Sequence, residues 1–476
     1  MDKQSRNDEL LKKLDERTVK SEHVLEVERA REREEKFKKN VDKATDEVDK
    51  FATKVKKFFS KKKNVIIVVF LILILAGGGA AAVFLMQNNS NVASDSENGK
   101  EKPKNEAIVK KFYDDLTGEL LSYSGVQYNA DGSEKKAEDG STLIYSERQA
   151  EQQADNINLS RINCVQIPNG TDARPQVGLS EAKIVYEAIA EGGITRFAAL
   201  YRGATSNVIG PVRSLRTYYL DWDIPYDCTI VHAGGEEVAL QRVKDYSHLS
   251  ESKEYMWRDY SGYRAPNNLF TSAELLNKFN KDKSYLESRP KVFARLTPDE
   301  SNKQVKDIRQ SKLEGKTQDD ESAKYAYADS IYVHVTTNAN YNVQYSYDAS
   351  TNSYLRAYEG ASGKHVAYTC KNLENSGNKI KPQKDCGAAT QLAPKVVVVM
   401  KVEEKLNQSN LYREDITTTG NGEAWIFQNG IVIPGTWSRG TDEQLKFKDA
   451  NGNEIKLAPG QTWITSVAKS YGYVKY

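Results

Sequence analysis

The sequence predicts an α+β protein in which a single transmembrane helix precedes an extracytoplasmic mixed α/β domain and a mainly antiparallel β domain. Three observations carry that expectation. Val65 to Met86 form one uncharged apolar run, helical and strand-like periods mix from about Asn163, and beyond Lys324 alternating strand patterns are punctuated by Asn-Gly pairs.

The run VIIVVFLILILAGGGAAAVFLM is long enough, at about 1.5 Å per residue, to cross a hydrocarbon core roughly 30 Å thick. A helix also satisfies its own backbone in lipid. A cleaved signal peptide is the competing reading, because Ala80, Ala81 and Ala82 imitate a cleavage site; however, residues 1–63 precede the run, far more than a signal's basic leader. Lys54, Lys56, Lys57, Lys61, Lys62 and Lys63 crowd its N-terminal flank, whereas QNNSNVASDSENG follows it, so the excess of inner positive charge places residue 1 in the cytoplasm and everything after Met86 outside. The expected division is a charged helical cytoplasmic region over 1–63, the transmembrane helix over 64–86, a tether with a possible helix over 87–162, an α+β domain over 163–297, a linker over 298–324 and a β-rich domain over 325–476.

Across 476 residues, 39% hydrophobic and 28% charged is an ordinary globular mixture, and the net charge of +2 argues for no partner by itself. The basic cluster lies against the membrane, where anionic lipid explains it, so no nucleic-acid partner is expected. The partners expected are the membrane and a cell-wall polymer or envelope protein, with no cofactor and no metal. All four cysteines fall on the outer side. Cys370 and Cys386 flank a polar loop that a disulfide would close, Cys164 and Cys228 either pair or stay as buried thiols, and no spacing is that of a zinc site.

In chain order, Val41, Ala44, Val48, Phe51, Val55 and Phe58 recur on one helical face, which suits the inner leaflet, a short coiled coil or a solvated helix with a weak seam. Glu106 to Ser122 reads as an amphipathic helix through Ile108, Phe112, Leu116 and Leu120. EEVALQRVKDY and SAELLNKFNKD read as helices and CTIVHA as a strand. Later, Ile331, Val333 and Val335 alternate, as do Val343, Tyr345 and Tyr347; VVVVM at 396–400 is a buried strand; and Asn429-Gly430 and Asn451-Gly452 mark hairpins, whose tight turns need positive φ at both central residues.

Three constellations could carry chemistry. A hairpin folded at Gly192-Gly193 would set Glu187, Glu191 and Arg196 on one face and Tyr186, Ala188 and Phe197 on the other, with a helix ending at Gly192 as the alternative. Two carboxylates beside an arginine make an acid and base pair, a cation site or a plain salt-bridge ladder. In Arg213-Ser214-Leu215-Arg216 a turn would converge two guanidinium forks suited to phosphate or carboxylate, unless they pair with Asp221 or Asp223. His232, followed by Ala233, Gly234 and Gly235, ends an apolar strand before a helix, a geometry that fits an anion site or simply a strand-to-helix turn; His232 is a candidate base or a structural histidine. No Walker loop, G-x-S-x-G turn or H-E-x-x-H motif occurs.

The stretches ARPQVGLSEA, VYEAIAEGGITRF, IGPVRSLR, VHAGGE, WRD, RAPNNLFTS, YDASTNSYLRAYEG, GTW and EIKLAPGQTWI resemble the YerB-like family of bacterial lipoproteins, which pair N- and C-terminal domains of unknown function. The resemblance runs from about Asn163 to the C-terminus and implies a membrane-tethered, extracytoplasmic bacterial protein without an established reaction. Two departures stand out: the family's anchor is a lipidated cysteine after a short signal, whereas the first cysteine here is Cys164, and a cysteine-flanked insertion follows His365. Three functions remain open: a binding module recognising an anionic or wall-derived ligand through Arg196, Arg213, Arg216 and the Gly234-Gly235 turn; an envelope hydrolase or transferase using Glu187, Glu191 or His232; and an adaptor offering Trp425 and Trp437 to a protein partner.

Overall fold

A computed structural model describes residues 109–315, 326–360 and 363–476, apart from 372, 374–379, 408–409 and 411. The chain divides into two compact units, residues 1–102 with 128–135 and residues 103–127 with 136–476. Of the first, only 128–135 are described, as a turn closed by a bridge between Tyr128 and Glu134. The seam from Val41 to Phe58, the apolar run Val65 to Met86 and the tether at 88–105 lie outside the described residues.

The second unit is built on an eleven-stranded mixed sheet. Its order is His248–Leu249, Thr229–Val231, Asn163–Pro168, Ile194–Tyr201, Ile184–Glu191, Thr462–Ala468, Val396–Val402, Gly420–Gln428, Ile431–Arg439 and Ala326–Tyr327, with Lys446–Lys448 also paired to Ile431–Arg439. Thr462–Ala468 lies between Ile184–Glu191 and Val396–Val402 and runs parallel to both, so that Thr465 is opposite Glu187 on one side and Val399 on the other.

This corrects the expected fold class. An α/β domain followed by an antiparallel β domain was expected, but one sheet passes through both regions, with parallel pairs at its middle. The described fold is mostly sheet with few helices, and among the described residues no helix is long and apolar enough to cross a membrane, so the transmembrane helix is not an element of it. The physical reason for the missed junction is that a parallel partner is fixed by long-range packing, which leaves no local signature.

Two segments depart from their expected conformation for local reasons. Where a helix was expected over Glu106 to Ser122, Lys111–Tyr113 and Leu120–Tyr123 form an antiparallel pair. Between them the Asp114 carboxylate accepts the N–H groups of Leu116 and Thr117, and Gly118 has φ +73°, a turn that competes with a helix. Where a linker was expected over 298–324, Pro298–Leu313 form a helix. Thr297 and Glu300 make a reciprocal capping box, Pro298 occupies the first turn, and Val305 and Ile308 are buried. The helices Glu237–Arg242 and Ala273–Asp282 and the strand Thr229–Val231 fall where their patterns put them.

Turn chemistry is equally specific. Asn429 and Gly430 both adopt positive φ, 55° and 80°, in the tight hairpin between Gly420–Gln428 and Ile431–Arg439. At Asn451-Gly452 only Gly452 does so; Asp449 accepts the N–H groups of Asn451 and Asn453 and sets a wider loop.

The core covers both sheet faces. On one face Tyr186, Ala188, Ala198, Val398 and Ile464 pack under Tyr218, Tyr219 and Trp222 of the helix Thr217–Asp223. On the other, Val185, Phe197 and Trp463 meet Leu276 and Phe279 of Ala273–Asp282, while Val397, Val399 and Val467 meet a second sheet formed by Ser353–Tyr358, Val343–Asp348, Ser330–His334 and Tyr473–Lys475. Disulfides join Cys164 to Cys228 and Cys370 to Cys386. The first ties the neighbouring strands Asn163–Pro168 and Thr229–Val231 across a sequence separation of 64 residues. Replacing both Cys164 and Cys228 by alanine is expected to lower the unfolding free energy by about 2–4 kcal/mol, read as a fall in the urea midpoint that reduction of the unaltered protein reproduces in part.

Candidate functional site

The Gly192-Gly193 turn, with φ of 57° and 73°, folds Ile184–Glu191 onto Ile194–Tyr201 as expected. The faces are distributed differently. Glu187 is paired with Phe197 and Ala188 with Arg196, so Glu187 and Arg196 lie on opposite faces of the sheet. A register shift between Ile189 and Glu191 then turns Glu191 back onto the face of Arg196. Tyr218 Oη donates to Ile189 O (2.7 Å) beside this bulge.

Glu191 sits between two arginines. Arg196 Nη2 donates to its Oε1 (3.1 Å) and Arg216 Nη2 to its Oε2 (2.5 Å). The other arms of the forks are held by backbone, Arg196 Nη1 by Ser214 O (2.7 Å) and Arg216 Nη1 by Leu215 O (3.0 Å). Both guanidiniums are buried, whereas Glu191 is 36% exposed. Burial alone would raise the Glu191 carboxyl, but Arg196 and Arg216 outweigh it and hold the group below its ordinary value. Arg213 is half-buried and near enough to Glu191 to feel its charge, with burial lowering its guanidinium pKa; its Nε has no hydrogen-bond partner among the described residues. The alternative pairing of Arg213 or Arg216 with Asp221 or Asp223 does not form: Asp221 binds Arg242 and Asp223 accepts from Gln166.

The Gly234-Gly235 turn is engaged with the arginine segment itself. Leu215 N–H donates to Gly234 O (3.1 Å), Ala233 N–H to Arg213 O (3.0 Å) and Glu236 N–H to Leu215 O (3.1 Å). A Cβ at Gly235 would meet Leu240 at 3.0 Å and Leu215 O at 3.1 Å, so close backbone packing accounts for that glycine, and the following helix is only six residues long. His232 Nδ1 is 2.9 Å from Gly234 O, which makes Nδ1 the protonated nitrogen and leaves the buried Nε2 as an acceptor without a described partner. Burial lowers the His232 pKa, so the ring is neutral. His232 and Gly234 therefore brace the Arg213–Arg216 segment.

Glu187 belongs to a separate network on the opposite face. Its carboxylate accepts from Arg356 Nη2 (2.7 Å), Trp463 Nε1 (2.9 Å) and Thr195 Oγ1 (3.1 Å), all fully buried. Arg356 Nε donates to Tyr345 Oη (3.2 Å) and its Nη1 to His365 Nδ1, so His365 Nε2 carries the proton donated to Gln176 Oε1 (3.0 Å). Gln176 and Tyr358 in turn donate to Asn169 Oδ1, and Arg356 packs over the rings of Trp463 and Tyr358 at 4.5 and 4.9 Å. Burial lowers the Arg356 pKa, but Glu187 overrides it and holds the guanidinium above its ordinary value; His365 is driven well below 6.5, first by burial and then by Arg356. With its oxygens occupied and no route to solvent, Glu187 is not placed to transfer protons with Glu191. Sequence reasoning missed Arg356, His365, Gln176 and Trp463. Three of these lie in stretches that carry the family resemblance, and His365 follows one of them, but nothing local in the sequence pairs them. Trp437, one of the two tryptophans considered as an adaptor surface, is buried with its Nε1 donating to Lys401 O (2.7 Å), and Trp425 is partly buried against the core.

Two family models match the chain: the N-terminal domain of a protein of unknown function, DUF3048, over residues 149–286 and its C-terminal domain over 331–464. The chain is 28% identical over 313 residues to the Bacillus subtilis (strain 168) protein named "Putative lipoprotein YerB", covering 64% of this chain and 80% of that protein. The crystal structure of YerB from Bacillus subtilis matches with a TM-score of 0.51 and 22% identity, covering 72% of this chain and all of that one, a likeness of fold.

Two outcomes follow from the buried network. Replacing Arg356 by alanine removes the ion-pair partner of the buried Glu187, and is expected to cost on the order of 3–5 kcal/mol of stability in a urea titration. Because His365 stays neutral when folded but titrates near 6.5 when unfolded, its contribution is present above that pH and lost as pH falls below it. A His365→Gln variant should flatten the fall in unfolding free energy below pH 6.5.

Proposed function

The chain belongs to the DUF3048 family, and on that premise we propose that it acts at the outer face of the cell envelope as a binding module for an anionic ligand, a phosphate- or carboxylate-bearing wall polymer. One observation carries the ligand class: the guanidiniums of Arg196, Arg213 and Arg216 gather around the single half-exposed carboxylate of Glu191. A ligand oxyanion approaching from solvent meets the half-buried Arg213 and competes with Glu191 for the forks of Arg196 and Arg216. Buried arginines held by backbone carbonyls cost little reorganisation when the anion changes. The lipoprotein name of the Bacillus subtilis relative supports association with a membrane, and two disulfides fit an oxidising, extracytoplasmic compartment.

Retention on purified wall material tests the reading. Replacing Arg213 and Arg216 together by alanine should abolish retention, and Arg213→Ala alone, at a half-buried site without an ion-pair partner among the described residues, should weaken it roughly tenfold, as expected for loss of one charge-assisted contact. Unchanged retention by both variants, with unaltered thermal unfolding, overturns the assignment.

A further inference from the structure

A segment distant in sequence closes one edge of the arginine cluster. Thr462–Ala468 accompanies Ile184–Glu191 only as far as Glu187, which lies opposite Thr465. Beyond that point the edge is taken by Arg413: Glu191 and Arg413 form an isolated antiparallel bridge, and Gly192 N–H donates to Tyr412 O (2.8 Å). Arg413 immediately precedes Glu414–Ile416, which pairs with Glu404–Leu406 in a separate two-stranded ribbon. Its own backbone is held on both sides, the N–H donating to Asn410 O (2.9 Å) and the O accepting from Asn407 N–H (2.9 Å).

Directly opposed residues of an antiparallel bridge project their side chains to the same side, with Cβ atoms about 5 Å apart. Arg413 therefore rises beside Glu191, whose carboxylate already faces Arg196 and Arg216. The Arg413 side chain is half-buried, makes no ion pair with Glu191 and has no hydrogen-bond partner among the described residues. Asp415, two positions further on, is engaged elsewhere: it lies opposite Lys405 and accepts from Asn407 Nδ2 (2.8 Å).

The guanidiniums of this cluster are thus of two kinds. Arg196 and Arg216 are buried and each spends one arm on Glu191, whereas Arg213 and Arg413 are half-buried and paired with no carboxylate among the described residues. The two uncommitted groups stand on different segments, Arg213 on the stretch braced by Gly234 and Arg413 on the ribbon bonded to the end of the Glu191 strand. A single small anion is satisfied by one or two forks. A chain bearing anionic groups at intervals matches separate anchor points, because its second contact is intramolecular once the first is made. We propose that Arg413 is a ligand-contacting residue of the arginine site and that the ligand is a polyanion with repeated phosphate or carboxylate groups, one engaging Arg213 with Arg216 and another engaging Arg413. This rests on the assignment of the arginine cluster as an anion site.

Calorimetric titration of the full-length protein with linear polyphosphate and polygalacturonate, each against its monomer, orthophosphate or galacturonate, tests this. At least one polymer should bind on the order of a hundredfold more tightly than its monomer, and which one does so separates phosphate from carboxylate. Arg413→Ala should weaken that polymer roughly tenfold, with monomer binding and thermal unfolding unchanged, and Arg413→Lys, which keeps the charge, should recover most of the loss. Full-strength polymer binding by Arg413→Ala, together with its loss when Arg213 and Arg216 are both replaced by alanine, overturns the role of Arg413 and leaves the anion site standing. Polymers that bind no more tightly than their monomers, or not at all, overturn the polyanion. Polymer binding that every variant retains overturns this inference and the anion site together.

Discussion

The ion pair between Glu187 and Arg356 is the constraint on which the rest of the architecture turns. Both groups are fully buried, so each is tolerable only while the other is in place and every remaining lone pair and N–H is satisfied. Meeting that condition recruits Thr195, Trp463, Tyr345, His365, Gln176 and Asn169, drawn from both family-matched regions. The two regions are thereby held in one register, and the sheet that spans them has a single way to close. A well-packed apolar substitute of the same volume could match its stability; a pair of charges adds directional specificity that apolar contacts lack.

The hairpin at Gly192-Gly193 divides its two acids between the faces of the sheet. Ideal alternation would have placed Glu187 and Glu191 together, but the bulge before Glu191 splits them, sending one into the core and the other toward Arg196 and Arg216. A sequence of two acids four residues apart has become one structural anchor and one surface carboxylate. With Glu187 committed elsewhere, Glu191 is the carboxylate that the buried Arg196 and Arg216 share.

What could be read from the chain and what could not divides along the range of the interaction. The turn at Asn429-Gly430, the helix Ala273–Asp282, the buried run Val396–Met400 and the gathering of Arg196, Arg213 and Arg216 are legible because positive φ, 3.6-residue periodicity and forked donors at short spacing are local facts. The helix Pro298–Leu313 was hidden by its polarity, although Thr297 and Glu300 spell a capping box. The parallel seam at Thr462–Ala468 and the partnership of Glu187 with Arg356, 169 positions apart, have no local counterpart.

The placement of Thr462–Ala468 between Ile184–Glu191 and Val396–Val402 bears on how the molecule is made. A ribosome delivers both neighbours well before it delivers the strand that separates them, so the middle of the sheet must wait as an open slot flanked by two unsatisfied edges. During that interval the nascent chain is a substrate for chaperones and a hazard for edge-to-edge association, and closure is a late, long-range event of the kind that slows folding. Severing the gene between the two family-matched regions would yield fragments that each lack a neighbour for an exposed strand, which makes their coexpression, rather than either piece alone, the natural unit of expression.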